Sequence, residues 1–376
     1  MTQTAVVFGA SSYVGSALTR KLLERGDRVI AVSRRPAIGG ILLPAEDANL
    51  TIVEAEDVPE LTRGEVVSIV NFAYVKGAPP QLLYRQDKAL VSAIGEVAAA
   101  GCRRLIHIST SAVLGSHFDV TSGPARVGRP PTDDLYAESK VHSEHLIEGL
   151  RDSAGGELAI VRLGNVIGPG SPLWVAGLAQ RIMEVQPVGY EGEDGFANAT
   201  HVENIAGYLI HLLGQPEGRL RDFGVYHHLA ELSSHRWSEL LDVMSEVVGY
   251  PWLTVPRDSE TAPRTRPVRR AVKALYATHA GPYVRAAWGA LPPWERLDRM
   301  FAGMRDPRPP VLRVEGDGGA QDAALFDVLS CAQEFRSRLI DGWAPPLDFS
   351  AAMDTVARWL REAGYNLGLG DSGPAR

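Results

Sequence analysis

Short apolar runs alternate with amphipathic stretches through the first half of the chain. The apolar runs are rich in β-branched residues, whereas the stretches between them repeat apolar residues at helical spacing, as Leu18, Leu22 and Leu23 do. We predict strands at residues 4–8, 29–33, 50–53, 66–72, 104–108 and 158–162, and a long helix at 81–100. Strands that alternate with helices predict an α/β fold with a Rossmann-type, doubly wound parallel sheet.

After about residue 170 the alternation loosens and the pattern becomes mostly helical. Helices are predicted at residues 174–186, 201–213, 235–248 and 349–365, with a late strand at 224–229. Residues 256–310 combine a basic run with tryptophans, which fits either a lid or anion site, or a solvated helix with an apolar underside. Residues 307–320 are rich in proline and glycine and predict a loop.

The first strand leads into a glycine-rich turn, Gly9-Ala10-Ser11-Ser12-Tyr13-Val14-Gly15, and then into a helix. This order of strand, turn and helix is typical of a dinucleotide-binding site. Gly9 permits the tight turn, Gly15 lets the helix pack closely on the strand, and the helix N-terminus faces the pyrophosphate. Ser12 replaces the middle glycine of the usual pattern, but the position between strand and helix still predicts a nucleotide site.

A second chemical signal is the pair Tyr136 and Lys140, which lie four residues apart and therefore on one face of a helix. An ammonium beside a phenol favours the phenolate, so the tyrosine can donate and accept a proton near neutral pH. This spacing also occurs by chance on surface helices. The strand at 104–108 ends in the hydroxyl cluster Ser109-Thr110-Ser111, at the sheet edge where ligands bind, although such clusters also form ordinary turns.

Together these segments resemble the extended short-chain dehydrogenase/reductases, the epimerase/dehydratase superfamily, over about residues 1–230. The resemblance rests on the glycine-rich turn, on Ser109–Gly115, on Tyr136–Lys140 and on Val161–Gly170. It implies a dinucleotide-dependent enzyme with its cofactor at the carboxyl edge of the sheet.

The resemblance also implies catalytic roles and a division of the chain. Thr110 would supply the catalytic hydroxyl, Tyr136 would be the acid and base, and Lys140 would bind the ribose and lower the tyrosine pKa. The implied units are a Rossmann domain at 1–170 with elements near 200–230 returning to it, a small, mostly helical substrate-binding lobe and lid at 171–366, and a disordered tail at 367–376.

The predicted cofactor is NADP(H) rather than NAD(H). The family places an acid at the end of the second strand to bind the ribose of NAD, but this chain has Ser33 there, followed by Arg34 and Arg35. Two guanidinium groups suit a 2′-phosphate; the alternative is that they cap a surface turn. The predicted cofactor-binding residues are Gly9, Ser11, Ser12, Tyr13, Val14, Gly15, Ser33, Arg34, Arg35, Asp57, Val58, Ala73, Tyr136, Lys140, Leu163 and Val166.

Within the superfamily, the resemblance favours an NADP(H)-dependent oxidoreductase that reduces a carbonyl of a small to medium-sized substrate or oxidises the alcohol. The positions after the catalytic threonine are Ser111 and Ala112, where sugar dehydratases carry Asp-Glu. Gly195–Thr200 lacks the arginine with which nucleotide-sugar enzymes hold a diphosphate, and His201–Ala206 is more similar to the hydroxysteroid-dehydrogenase branch. The alternatives are a nucleotide-sugar epimerase or dehydratase with retained NAD, and a non-catalytic NADP-sensing protein.

Composition restricts the partners more than the reaction. A net charge of −7 and a pI near 5.8 disfavour a nucleic-acid partner, and no stretch is apolar enough to span a membrane. The first strand begins within a few residues of the start, so no signal peptide is expected. Cys102 and Cys331 have no metal-like spacing, and the histidines form no convincing metal site. We expect a cytoplasmic enzyme with a small-molecule substrate and no metal, and leave a homodimer open.

Overall fold

The computed structural model describes residues 3–34, 43–74, 80–114, 135–151, 155–257 and 320–365. Some predictions made from the sequence fall outside these ranges. They concern Arg35, nearly all of the segment 256–310, the loop at 307–320 except its last residue, and the tail at 367–376, and they stay predictions.

Seven parallel strands form the central sheet. They are β1 (Thr4–Phe8), β2 (Arg28–Val32), β3 (Leu50–Val53), β4 (Val67–Asn71), β5 (Cys102–Thr110), β6 (Glu157–Leu163) and β10 (Tyr226–Leu229). Their order is β10-β6-β5-β4-β1-β2-β3, and every neighbouring pair is parallel. The chain thus runs outward from β1 in one direction and from β4 in the other. This confirms the doubly wound prediction and puts a ligand-binding switch point between β1 and β4.

Helices cover both faces of this sheet. The helices of the described residues are α1 (Tyr13–Glu24), α2 (Val58–Leu61), α3 (Pro80–Gly101), α4 (Leu135–Glu148), α5 (Leu178–Met183), α6 (Val202–Gly214), α7 (Arg219–Phe223), α8 (Trp237–Val248), α9 (Ala320–Leu329) and α10 (Phe349–Glu362). α1 and α6 share a core with Val7 and Val70, whereas α3 and α4 share one with Val6 and Ile69. Side chains along a strand point alternately to the two faces of the sheet, and helices bury both faces. Residues on both faces of a strand are therefore covered, which explains the continuous apolar runs in the sequence.

A further core packs α5, α8 and α10 together. In it Trp237, Leu240 and Met244 of α8 lie with Val356 and Leu360 of α10. Two small parallel sheets belong to this half of the chain: β7 (Asn165–Ile167) with β9 (Ala199–His201), and β8 (Pro187–Tyr190) with β11 (Leu253–Val255). None of these four strands is predicted from the sequence, because elements of three or four residues are too short to show a period.

The helix predicted at 174–186 is divided in two. A π-helical turn at Pro172–Gly177 precedes α5, which ends before Val185 takes a positive φ of 55°. A β-branched residue in that backbone region stops a helix, and residue type alone does not reveal it.

Residues after α9 return to the first sheet. The backbones of His228 on the edge strand β10 and of Arg338 exchange two hydrogen bonds, of 3.0 and 2.8 Å. Ile340 is buried in the core beneath α1 and α6, and Trp343 packs against it. The late part of the chain therefore contributes to the first core, and the boundary at residue 170 remains a proposal.

Candidate active site

The turn after β1 is closed by contacts that only glycine permits. Gly9 has a φ of +74°, and its amide donates to the Val32 carbonyl at 3.1 Å. A Cβ on Gly15 would lie 2.3 Å from the Gly9 carbonyl oxygen, so α1 begins directly against β1. Ser12 is the N-cap of α1, since its Oγ accepts a hydrogen bond from the Gly15 amide at 3.1 Å. The serine at the missing-glycine position thus stabilises the helix start.

The same turn lies close to the end of β4. A Cβ on Gly9 would lie 2.7 Å from the Ala73 amide nitrogen. On the other side the Tyr13 hydroxyl donates to the Ile167 carbonyl at 3.5 Å. A glycine-rich turn that leads into a helix N-terminus is where a pyrophosphate binds in dinucleotide sites, so this turn fits a dinucleotide. Around it, Ser11, Val14 and Val166 are partly buried, and Leu163 is buried at the end of β6.

The end of β2 carries no carboxylate. Ser33 is buried and its amide donates to the Val53 carbonyl at 2.9 Å, whereas Arg34 is exposed. Asp57 is exposed at the end of a 3-10 turn after β3, and Val58 beside it is buried. Because β2 and β3 are neighbours and parallel, these residues lie at one edge of the sheet, where the adenosine half of a dinucleotide binds.

Thr110, Tyr136 and Lys140 approach the same place, the carboxyl end of β5. Thr110 is the last residue of that strand, and its Oγ1 accepts from the Ala112 amide at 3.3 Å. Lys140 is buried, and its Nζ donates to the Ile108 carbonyl at 3.0 Å, so α4 is fixed to the end of β5. Tyr136, one turn earlier on α4, is 41% exposed. Tyr136 is therefore partly open to solvent, one helical turn from a buried ammonium.

Tyr74 belongs to this site and was missed by the sequence analysis. Its ring meets the Tyr136 ring edge-on, with centroids 5.3 Å apart, and Lys140 Nζ lies 5.3 Å from its centroid. Tyr74 directly follows Ala73, so the residue after the predicted small cofactor contact lies against both Tyr136 and Lys140.

Burial lowers the pKa of Lys140 to about 8, and the carboxylates of Asp87 and Glu144 oppose this shift. Asp87 itself is buried on α3, accepts a hydrogen bond from the Ser139 hydroxyl at 3.4 Å, and has its pKa raised by burial. A buried lysine whose pKa is shifted in this way is typical of a functional site.

A buried ion pair lies one turn further along α4. Both carboxylate oxygens of Glu144 accept from Arg162 on β6, from Nε at 3.0 Å and from Nη2 at 2.7 Å, and both residues are fully buried. The Arg162 guanidinium also lies 4.1 Å from the centroid of the Tyr226 ring. This pair is not predicted from the sequence, where the available signal is that Glu144 stands four residues after Lys140.

A different polar cluster lies where α6 begins. The Glu231 carboxylate accepts from the Thr200 hydroxyl at 2.6 Å, the His201 amide at 2.8 Å and the Asn204 side-chain amide at 2.9 Å. His201 Nε2 contacts the Thr355 hydroxyl of α10 at 2.9 Å. This segment was singled out from the sequence only by resemblance; here it joins α6 to α10.

Among the described residues, no group of three or more His, Cys, Asp or Glu side chains could hold a metal ion. No helix in the described ranges is long and apolar enough to cross a membrane.

The fold and the site define a dinucleotide-binding α/β protein with a tyrosine–lysine pair near the cofactor turn. Residues 5–218, more than half of the chain, match the NAD dependent epimerase/dehydratase family. The chain belongs to that family, and so to the extended short-chain dehydrogenase/reductases. Its family and relatives indicate an NAD(P)-dependent dehydrogenase, reductase or epimerase.

Two curated relatives illustrate this. The chain is 26% identical over 299 residues to dTDP-4-dehydro-6-deoxy-D-allose reductase from Streptomyces sp, covering 64% of this chain and 91% of that protein. It is 29% identical over 182 residues to 3-beta-hydroxysteroid dehydrogenase from Mycolicibacterium neoaurum, covering 44% of this chain and 48% of that protein.

Solved structures show the same fold. UDP-glucose 4-epimerase from Thermotoga maritima with UDP-glucose has a TM-score of 0.60 at 14% identity, covering 96% of this chain and 99% of that one. UDP-glucuronic acid 4-epimerase from Bacillus cereus, in complex with UDP-glucuronic acid and NAD, has a TM-score of 0.54 at 16% identity, covering 67% and 85%. At these identities the likeness establishes the architecture alone.

Proposed function

We propose that this protein is an NADP(H)-dependent oxidoreductase that reduces a carbonyl group, or oxidises the corresponding alcohol, by acid–base catalysis at Tyr136. The observation that carries the proposal is the convergence of Thr110, Tyr136 and Lys140 at the end of β5, with Lys140 Nζ 3.0 Å from the Ile108 carbonyl. A non-catalytic NADP-sensing protein has no need of an exposed phenol one turn from a buried ammonium.

In this proposal each residue has a defined task. NADPH supplies a hydride when bound, held by the glycine-rich turn. Thr110 and Tyr136 hydrogen-bond the substrate carbonyl oxygen, and Tyr136 gives up its proton as negative charge develops there. Lys140 stabilises the phenolate that remains. Its ammonium has three N–H donors; one bonds the Ile108 carbonyl, and the others are proposed to bind the ribose.

Replacing Tyr136 by Phe tests this role. We expect kcat to fall by about 10³-fold, because positioned proton transfer contributes about 10²–10⁴-fold, while the Kd for NADPH changes by less than about threefold. Lys140→Ala should impair both turnover and cofactor binding. Turnover by Tyr136→Phe within a few-fold of wild type would refute the assignment.

The preference for NADPH is proposed from Ser33 and Arg34. Buried Ser33 brings no negative charge to the ribose, and exposed Arg34 is available for a phosphate. We expect NADPH to bind about tenfold or more tightly than NADH, and Arg34→Ala to remove most of that preference. Calorimetric titration with both cofactors measures it; equal dissociation constants for the wild type would contradict the proposal.

A second candidate substrate is a ketone on a nucleotide-linked sugar. It is favoured by the relative from Streptomyces sp, a dTDP-sugar reductase that aligns over 91% of its length. Arg236 is our candidate for the arginine that Gly195–Thr200 lacks, because its guanidinium lies 3.7 Å from the centroid of the Phe196 ring in that segment. NADPH consumption with a dTDP-linked 4-keto sugar and with free ketones separates the candidates. If the sugar is the substrate, Arg236→Ala should raise its KM and leave the NADPH Kd unchanged.

A further inference from the structure

A buried pair of polar residues links the two halves of the site. Asn71 ends β4 and His107 lies beside it in register on β5, and both side chains are fully buried. Asn71 Nδ2 is 3.0 Å from His107 Nδ1. Asn71 Oδ1 accepts a hydrogen bond of 2.9 Å from the Ala73 amide. The Ala73 amide nitrogen packs directly against Gly9, since a Cβ on Gly9 would lie only 2.7 Å from it.

These contacts fix the proton on the imidazole. The Ala73 amide can only donate, so the Asn71 side-chain oxygen must face it and the amide nitrogen must face His107. That nitrogen donates as well, so Nδ1 of His107 accepts and carries no proton. The ring is neutral with its hydrogen on Nε2, and burial and then the charge of Lys140 lower its pKa well below the usual value.

The charges around this ring explain why neutrality matters. Lys140 on α4 donates a hydrogen bond to the carbonyl of Ile108, the residue after His107, so its positive charge lies close to the imidazole. Behind it lie the carboxylates of Asp87 on α3 and Glu144 on α4, whose charges both act on Lys140. An imidazolium at His107 would repel the Lys140 ammonium and would also turn an Nδ1–H towards the Asn71 amide.

We propose that His107 is a positioning residue for the dinucleotide: its unprotonated Nδ1 orients the Asn71 side chain, which holds the Ala73 amide against Gly9 at the cofactor turn. The chain of contacts runs from β5 through β4 to β1, across the switch point where the cofactor of the proposed function binds. The inference rests on that function for the identity of the ligand but not for the reaction.

A second buried histidine provides a matched control. His228 on β10 is also fully buried, but neither of its ring nitrogens has a hydrogen-bond partner among the described residues. It lies two strands from β5 and stacks on Phe335, with ring centroids 5.2 Å apart. Removing either imidazole opens a similar space in the core, whereas only the loss of His107 frees the Asn71 amide.

The test compares three variants by calorimetric titration with NADPH. His107→Leu removes the acceptor, and we expect the Kd to rise about tenfold, because the Asn71 amide loses its buried partner and its hold on Ala73. His107→Gln offers a side-chain oxygen to Asn71 and should remain within about threefold of wild type, as should His228→Leu. A Kd for His107→Leu within about threefold of wild type, or an equal rise in His228→Leu, would overturn the proposal.

A second measurement needs no variant. Nitrogen-15 NMR of the wild-type histidines should show His107 with a protonated Nε2 and a bare Nδ1, with no titration between about pH 5 and pH 8. A protonated Nδ1 would overturn the proposal even if His107→Leu failed to fold. Neither measurement requires turnover, so an enzyme that binds NADPH as expected but reduces no carbonyl would refute the reaction and leave this inference standing.

Discussion

Two buried polar clusters lie near the carboxyl end of the central sheet, and they differ in whether their ionisable groups keep their charge. The cluster beneath Tyr136 contains Lys140, Glu144 and Arg162, and the cluster at the start of α6, the α6 junction, contains Glu231 and His201. In the first, burial lowers the pKa of Lys140 only to about 8, because Asp87 and Glu144 oppose it. At the α6 junction, burial raises the pKa of Glu231 and lowers that of His201 to about 4. Burial there drives both groups towards neutrality.

The clusters also differ in how completely they are paired. At the α6 junction both His201 nitrogens are bonded, to the Glu203 amide at 3.2 Å and to the Thr355 hydroxyl at 2.9 Å. In the cluster beneath Tyr136, Arg162 Nη1 has no hydrogen-bond partner among the described residues. Fully satisfied networks make a core rigid, whereas charges kept in the interior are typical of reacting sites. Burial of a polar residue therefore does not by itself mark function; retained charge is the more informative feature.

The largest effect of a single substitution on folding should come from the charged cluster. We expect Glu144→Ala to lower the free energy of unfolding by about 3–5 kcal/mol, because it leaves the Arg162 guanidinium buried without its partner. Urea unfolding measures this. Glu60→Ala is the matched control, since its pair with Arg63 is 75% exposed on both sides, and it should cost less than about 1 kcal/mol. Similar losses in the two variants would show that the buried pair is not special.

The neutral histidines should make the fold sensitive to acid. Burial, followed by nearby arginines, lowers the pKa of His227 and His228 to about 3, and burial lowers that of His201 to about 4. The unfolded chain binds these protons near pH 6.5 and the folded chain does not. The stabilisation is therefore present above pH 6.5 and is lost as the pH falls through the folded-state pKa values of about 4 and 3, by about 2 kcal/mol per histidine between pH 7 and pH 5.

Unfolding midpoints at several pH values check this expectation. In His228→Gln, the loss of unfolding free energy between pH 7 and pH 5 should be smaller by the contribution of one histidine, about 2 kcal/mol. Tyr136→Phe removes no histidine and should lose as much unfolding free energy as the wild type. Stability that stays constant from pH 7 to pH 5 would contradict the assignment of buried, neutral rings.

The smallest effect is expected at the α6 junction. Thr355→Val removes the contact to His201 Nε2 and should cost about 1 kcal/mol of unfolding free energy, with the NADPH Kd unchanged. Fluorescence-monitored unfolding and cofactor titration on the same sample give both quantities. A weakened cofactor affinity would mean that α10 supports the cofactor turn, and the contrast between the clusters would disappear.

Local sequence patterns predicted much of the fold and part of the site. Each strand predicted in the first two hundred and thirty residues lies within two residues of its observed bounds, because strands buried on both faces appear as continuous apolar runs and amphipathic helices have a period that can be counted along the chain. The glycine-rich turn and the Tyr136–Lys140 spacing were recognisable because their members lie within one turn or one helix. The strands β7, β8, β9 and β11 were missed for the opposite reason, since they are too short to repeat.

The sequence by itself determined the order of elements, the cofactor turn and the residues proposed for catalysis. Tertiary structure alone decided which distant side chains meet: Asn71 with His107, Glu144 with Arg162, and His201 with Thr355. These pairs depend on strand order, on register and on how α4 and α10 pack, and no local period encodes those quantities. Hydrophobic spacing specifies which face of an element is buried, but a buried polar group finds its partner only when the whole sheet has assembled.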